Sequence, residues 1–196
     1  MDYTQHFDSP LGGITLACDG EALIGLWFDG QKHFGAALKP EHAEKRMPVL
    51  EEAERWLRIY FSGEAPDFTP ALSLRGTAFQ KQVWEALLTV PYGGTATYAE
   101  IASRAAKRAG TGACARAAGS AIARNPVSLI VPCHRVVGAD GSLTGYAGGV
   151  RRKQALLSLE RAPKILLPSG AVCGTLLENQ PREVHLPCAC AGPAKT

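Results

Sequence analysis

No uninterrupted apolar stretch in this 196-residue sequence approaches the roughly 18 residues that a membrane-crossing helix requires. The first residues, Met1-Asp2-Tyr3-Thr4-Gln5, carry neither a basic nor an apolar segment and do not read as a secretory leader. The six cysteines follow no regular spacing. Without a leader they are expected as reduced thiols rather than a disulfide framework. The expected location is therefore the cytoplasm, or the nucleus in a nucleated cell, with no membrane partner. Acidic residues are unevenly spread along the chain. Residues 1–75 hold 7 Lys and Arg against 12 Asp and Glu, a net of −5. Residues 76–161 hold 11 against 4, a net of +7. A basic segment joined to an acidic one suits a polyanionic partner, although a solvated basic surface accounts for the same counts.

The chain divides into two expected domains and a tail: a small α/β domain over 1–75, a mostly helical domain over 76–163, and a C-terminal tail over 164–196. In the first, Ile14 to Cys18 and Ala22 to Phe28 read as strands joined by an Asp19-Gly20 turn, an antiparallel hairpin. Leu50, Ala53, Trp56, Leu57 and Tyr60 fall at helical spacing between Met47 and Phe61. No chemistry stands out in this segment, and a Pro- and Gly-containing linker, Ser62 to Pro70, closes it.

The second domain opens on a capping box, Thr77 with Gln80, ahead of an apolar stripe of Phe79, Val83, Ala86 and Leu87. Pro91-Tyr92-Gly93-Gly94 stops that helix, and Thr97 with Glu100 caps the next. An Ala-rich helix is expected from about Ala113 to Arg124. Helix, turn and helix in this order suggest a helix-turn-helix, although the pattern alone belongs more often to an ordinary packed pair. After Asn125-Pro126 comes a buried-type run, Val127 to Val131, leading into Pro132-Cys133-His134-Arg135. A glycine-rich loop, Thr144 to Gly149, precedes a last helix from Val150 to Arg161 with Ala155, Leu156 and Leu159 expected inward.

The chemistry is expected at Cys133, because a thiolate is the strongest nucleophile among side chains. His134 follows it directly, but neighbours in extended chain point apart, so a water or a bend in the backbone has to couple them. Glu160 is a candidate third group to orient the histidine. A Cys-His pair alone reads as well as a structural cysteine beside a chance histidine.

The wider pattern is more specific. Pro132-Cys133-His134-Arg135-Val136-Val137, with Asn125-Pro126-Val127 before it and Gly145-Tyr146-Ala147-Gly148-Gly149 after it, resembles the O6-alkylguanine-DNA alkyltransferases. The likeness extends from about Gly76 to Arg161 and takes in Phe79 to Trp84 and Val90 to Gly93. It implies a ribonuclease H-like first domain and a helix-turn-helix second domain of winged-helix type. It implies single-turnover repair, in which the alkyl group of O6-alkylguanine, and by extension O4-alkylthymine, passes to Cys133 after the base is flipped out. The implied partner is double-stranded DNA met from the minor groove by a monomer, and no cofactor or metal is implied. Residue by residue, Cys133 matches the acceptor, His134 the base acting through a water, Glu160 the acid that orients it, and Asn125 the residue that ties the loop. Tyr98 and Arg116 match the side chains that rotate the nucleotide out and fill its place, with Ala117, Arg124 and Arg135 also expected on the DNA surface. Tyr146, Val136, Ala147 and Gly148 are expected to line the guanine pocket.

Two stretches depart from the family. The chain between Tyr98 and Arg116 is longer by about four residues around Ala105 to Thr111, which is expected to lengthen the turn between the DNA-binding helices. The tail carries Cys173, His185, Cys188 and Cys190, whose spacing fits no common zinc pattern. Two other functions fit parts of the pattern: a flag protein that only binds alkylated DNA, which Cys133 argues against, and a thiol hydrolase using Cys133 and His134, which leaves the basic helices unexplained.

Overall fold

The computed structural model describes residues 1–110, 112 and 114–161, so the tail and its Cys173, His185, Cys188 and Cys190 lie outside the described residues. The first half is a four-stranded sheet backed by one helix. Strands β1 (Asp2–Ser9), β2 (Gly12–Cys18), β3 (Leu23–Phe28) and β4 (His42–Glu44) lie in the order β3-β2-β1-β4. The three long strands pair antiparallel, and β4 joins β1 in parallel. The expected hairpin is β2–β3. Its turn is held by the Asp19 carboxylate, which accepts from the backbone N–H groups of Glu21 (3.2 Å) and Ala22 (2.9 Å).

Strand β3 is buried on both faces, which explains its continuous apolar run. Leu23, Leu26 and Phe28 enter the main core, while Ile24 and Trp27 pack on the other side with Ala37 and Leu38. Gly25 is required here, because a Cβ would collide with the Trp27 ring. Strand β1 was not foreseen. Its middle residues Thr4, Gln5 and His6 give little apolar signal. It is fixed instead by pairing on both sides and by its fully buried Asp2, which accepts from Arg75 at 2.6 and 2.8 Å and from the Lys39 N–H at 3.0 Å. The Arg75 hydrogen bond, working against burial, lowers the Asp2 carboxyl to about 2.

Helix α1 (Pro48–Phe61) starts with Pro at its first turn and buries Val49, Leu50, Ala53, Trp56, Leu57 and Tyr60, the expected stripe. Helices α2 (Ala78–Leu87) and α3 (Tyr98–Ala109) both carry the expected capping boxes, Thr77 with Gln80 and Thr97 with Glu100. Phe79 was expected in the α2 stripe but is 36% exposed in the first turn. Trp84 is buried instead and donates its indole N–H to the Ala121 carbonyl at 2.9 Å. The extra residues after Tyr98 do not lengthen a turn as far as Ala109. They prolong α3, with Ala105 and Ala106 buried and the left-handed Gly110 (φ 64°) ending the helix. Helix α4 (Ala115–Ala123) packs on both α2 and α3.

The run Val127 to Val131 is buried, but it turns rather than extends. Val131 N–H returns to the Val127 carbonyl (3.0 Å), and Leu129 takes a left-handed conformation at φ 70°. The run is joined to the first half by two backbone bonds, Leu26 N–H to Pro126 O and Ser128 N–H to Leu26 O, both 2.9 Å. Two-residue strands β5 (Ala96–Thr97) and β6 (Val136–Val137) pair in parallel. Helix α5 (Val150–Arg161) buries Lys153, Leu156, Leu157 and Glu160. Ala155 and Leu159, expected inward, are only half-buried because the inward face follows 153, 156/157 and 160, one helical stripe. No described helix is long and apolar enough to cross a membrane.

Candidate active site

Cys133 and His134 begin a single 3-10 turn, Cys133–Arg135, closed by the Arg135 N–H on the Pro132 carbonyl at 3.0 Å. Side chains fan out around such a turn at about 120° per residue. All three are buried, and they meet different partners.

Cys133 faces Asn125. The Asn125 amide nitrogen donates to the sulfur at 3.1 Å and to the carbonyls of Val131 (2.7 Å) and Val127 (3.3 Å), while its oxygen accepts from the Val127 N–H at 3.0 Å. One side chain therefore closes the whole loop from 125 to 133 onto the sulfur. Burial pushes the Cys133 thiol up, and the Asn125 hydrogen bond and the Lys153 charge oppose that push without overcoming it. The resting sulfur is a thiol, and it needs a base.

His134 faces Glu160. Its Nε2 lies 2.7 Å from Glu160 Oε1, both side chains being fully enclosed. Burial resists ionising Glu160, yet hydrogen bonds from His134 and Arg135 hold its carboxyl at about 2. Burial also lowers His134, with Glu160 working against it. An ionised carboxylate can only accept, so Nε2 carries the hydrogen and Nδ1 carries the lone pair. Nδ1 is buried and bound to no protein atom among the described residues. It is the basic atom of the site.

Arg135 was expected on the DNA surface. It is buried instead. Its guanidinium binds Glu160 through Nε (2.9 Å to Oε2) and Nη2 (3.0 Å to Oε1), and Nη1 donates to the Val90 carbonyl at 2.8 Å. The reason is charge: Glu160, removed from water, needs a fixed counter-ion, and the next residue along the turn supplies it. The Gly93 N–H adds a further donor to Oε2 at 3.0 Å.

The glycine-rich loop brings Tyr146 to the neighbourhood of Cys133 and His134. Tyr146 is buried, and its ring meets the His134 ring edge-on (6.5 Å between centroids, 74°). Gly148 is buried as well, and a Cβ there would lie 2.6 Å from the Tyr146 ring, so glycine makes room for that wall. Ala147 is half-buried, and its carbonyl accepts from the Lys32 N–H at 3.1 Å. Val136 is fully buried in β6. Tyr98, at the start of α3, reaches this loop and donates to the Thr144 carbonyl at 2.9 Å. The Lys153 ammonium takes the same carbonyl at 2.7 Å.

The remaining expected DNA contacts are spread along α4. Arg116 is exposed in its first turn, and Ala117 is half-buried next to it. Arg124 is exposed at the opposite end, in a crevice shared with His33, Arg75 and Pro126. Eight residues of helix separate the two arginines by about 12 Å.

Residues 3–74 match the ribonuclease-like domain of 6-O-methylguanine DNA methyltransferase, and residues 78–162 match its DNA-binding domain. The chain is 44% identical over 162 residues to the methylated-DNA–protein-cysteine methyltransferase of Mycobacterium bovis, covering 83% of this chain and 94% of the relative. It is 46% identical over 159 residues to the protein so named in Methanosarcina acetivorans, covering 81% and 97%. The fold is similar to the crystal structure of Mycobacterium tuberculosis OGT in complex with DNA, with a TM-score of 0.70, 45% identity, and coverage of 81% of this chain and 92% of that one.

The chain belongs to the 6-O-methylguanine DNA methyltransferase family.

The methyltransferase thus combines a ribonuclease-like α/β half with a helical DNA-binding half. Two residues at its centre escaped sequence reasoning. Lys153 had a signal, since it falls on the inward stripe of α5 three residues before Leu156. Tyr60 had none, because an aromatic residue on an apolar stripe reads as core. In the folded methyltransferase its hydroxyl lies 2.7 Å from Glu160 Oε1 and 3.3 Å from His134 Nε2.

Proposed function

We propose that this chain repairs DNA by taking the alkyl group of O6-alkylguanine onto Cys133 Sγ, once per molecule. Family membership gives the class of reaction. The observation that carries the residue assignment is the buried thiol tied to Asn125 beside a His134–Glu160 pair whose free ring nitrogen is Nδ1.

In this reading the thiol proton passes through a water to His134 Nδ1, and Glu160 steadies the imidazolium that results. The thiolate attacks the alkyl carbon. The carbon–O6 bond breaks, the electron pair stays on guanine, and the Tyr98 hydroxyl supplies the proton that makes the base a better leaving group; the proton held by His134 leaves to solvent, and Tyr98 regains one from solvent. The product is a thioether. It has no electrophilic carbonyl, so water cannot restore the thiol, and each molecule reacts once.

The O6 atom of a stacked base cannot reach the sulfur of a residue that is only 4% exposed, so the nucleotide has to leave the helix. We infer that α3 and α4 act as a helix-turn-helix of winged type that meets the minor groove as a monomer. Arg116 enters the vacated place, offsetting part of an unstacking cost of about a few kcal/mol, and Ala117 allows close approach of the backbone. Tyr146, Gly148 and Val136 wall the pocket, the carbonyls of Cys133 and Val136 accept from the guanine amino group, and the Ala147 N–H donates to O6. Arg124 contributes through its charge from the edge of the interface. O4-alkylthymine offers an equivalent leaving group and is a second substrate. A protein with this role works on chromosomal DNA, at the nucleoid or in a nucleus.

Intact mass after incubation with an O6-methylguanine duplex tests the reading. A gain of about 14 Da that stops at one per molecule supports it, since one proton is replaced by one methyl group. No gain identifies a protein that only binds, and turnover without a plateau identifies a hydrolase.

A further inference from the structure

The relay at Cys133 draws one member from the half of the chain that carries no other chemistry. Tyr60 sits in the last turn of α1 with no exposed surface, 74 residues before His134 and 100 before Glu160. Its hydroxyl forms a triangle with the pair: 2.7 Å to Glu160 Oε1, 3.3 Å to His134 Nε2, and 2.7 Å between those two atoms. The phenol has one hydrogen, and the carboxylate oxygen is the stronger acceptor, so O–H points to Oε1. The phenol oxygen then offers its lone pair to the Nε2 hydrogen. The ring also stands edge-on to the imidazole, 6.3 Å between centroids at 77°. The phenol itself is braced by Trp56, stacked at 5.2 Å, and by Tyr92, edge-on at 6.0 Å.

We propose that Tyr60 is a positioning residue of the alkyl-transfer reaction, by which the N-terminal domain fixes the plane of the His134 imidazole and so the aim of Nδ1. It does not touch the reacting atoms; it acts through Glu160 and His134. The inference rests on the proposed role of Cys133 and His134. Its consequence is that the acidic half of the chain is part of the chemical machinery and more than a support for the DNA-binding half.

The pH response follows from the groups that face the pair. These are Cys133 and Arg135 on the 3-10 turn, Lys153 and Glu160 on α5, Tyr92 after α2, and Tyr146 in the glycine-rich loop. Among the described residues, only Tyr60 and the donors Arg135 and Gly93 spread the carboxylate charge besides His134 itself. Without the phenol hydrogen, Glu160 keeps more charge toward His134 and favours the imidazolium. A protonated His134 accepts no proton from the thiol, so the acid side of the rate profile moves to higher pH.

The test is the single-turnover rate of methyl transfer from an O6-methylguanine duplex across pH, for the full chain and for Tyr60→Phe, which removes one oxygen and keeps the ring. A plateau rate lower by about tenfold, roughly what one hydrogen bond to a charged group is worth, together with an acid limb moved to higher pH, is the expected result. The same substitution in a Glu160→Gln background should add little, because both act on one interaction. An unchanged rate and limb overturn the inference, and so does a slower rate with an unmoved limb, which marks a packing role. If Tyr60→Phe does not fold, 3-fluorotyrosine at position 60 alone, a stronger donor of nearly the same shape, should move the limb to lower pH, and an unmoved limb there is again a refutation. Failure of the unsubstituted chain to accept a methyl group at any pH would instead remove the reading of Cys133 on which the inference stands.

Discussion

The amide nitrogen of Asn125 lies 3.1 Å from the Cys133 sulfur and 2.7 Å from the Val131 carbonyl, so the residue that shapes the loop from 125 to 133 also solvates the proposed nucleophile. Asn125→Ala removes a donor to the thiolate and three backbone ties at once. The loop it would leave behind contains Leu129 in a left-handed conformation, at φ 70°, which the surroundings have to hold in place. A loss of about 2–4 kcal/mol is expected, the sum of a few buried hydrogen bonds. Denaturant midpoints measure it. Transfer should also slow, and stopped-time quenching of the reaction shows whether it does.

Acid should affect both reaction and stability, in windows set by the two buried groups. His134 is lowered below its ordinary 6.5, so the unfolded chain takes a proton there before the folded one does. Stability is therefore lost as pH falls below about 6.5. Glu160, held at about 2 against an ordinary 4.5, adds stability that is complete above 4.5 and is lost as pH falls toward 2. The rate should fall only when His134 itself protonates, which is below 6.5. Melting temperatures and single-turnover rates measured on the same buffers should separate in that order.

Arg116 and Arg135 should fail in different assays. Arg135 is part of a buried ion pair with Glu160, and Arg135→Ala leaves that carboxylate uncompensated. About 3–5 kcal/mol of stability should be lost, as for other broken buried pairs. The salt dependence of DNA binding should not change, because the guanidinium does not face solvent. Arg116→Ala, at an exposed position on α4, should do the reverse. It should leave the melting temperature unaltered and slow transfer from a duplex more than transfer from a free base analogue. Equal slowing on both substrates would contradict a place for Arg116 in the base stack.

How much of this was legible depended on what each residue's neighbours in sequence disclose. The capping boxes at Thr77 and Thr97 were legible because a cap is made within four residues. Cys133, His134 and Asn125 stood out through local motifs and Glu160 through the family resemblance, and the fold brings all four together. Arg135 was misassigned because a basic residue in a basic segment looks like a phosphate contact, and only the fold shows that Glu160 is beside it. Tyr60 and Asp2 were not legible at all. Their partners, Glu160 and Arg75, lie 100 and 73 residues away, and no pattern of short period records such a pairing. Strand β1 was missed for a related reason: its stability comes from pairing with β2 and β4 more than from its own apolar residues.

Alkylation should weaken the fold. The Cys133 sulfur is enclosed by Asn125 and the surrounding core, so a methyl group has to displace something and crowds the Asn125 amide that lies 3.1 Å from the sulfur. Overpacking of this kind costs about 1–3 kcal/mol. Calorimetry before and after complete reaction should show a lower melting temperature for the spent protein, and an unchanged one would contradict a closely packed sulfur.

The most direct test is to locate the transferred group. After reaction with a duplex bearing isotopically labelled O6-methylguanine, peptide mapping should find the label on Cys133 alone, as an S-methyl thioether in amounts equal to the guanine repaired, with Cys18 and Cys114 unlabelled and no label at all in Cys133→Ala. Label on another residue, or repaired guanine with Cys133 still a free thiol, would contradict the assignment.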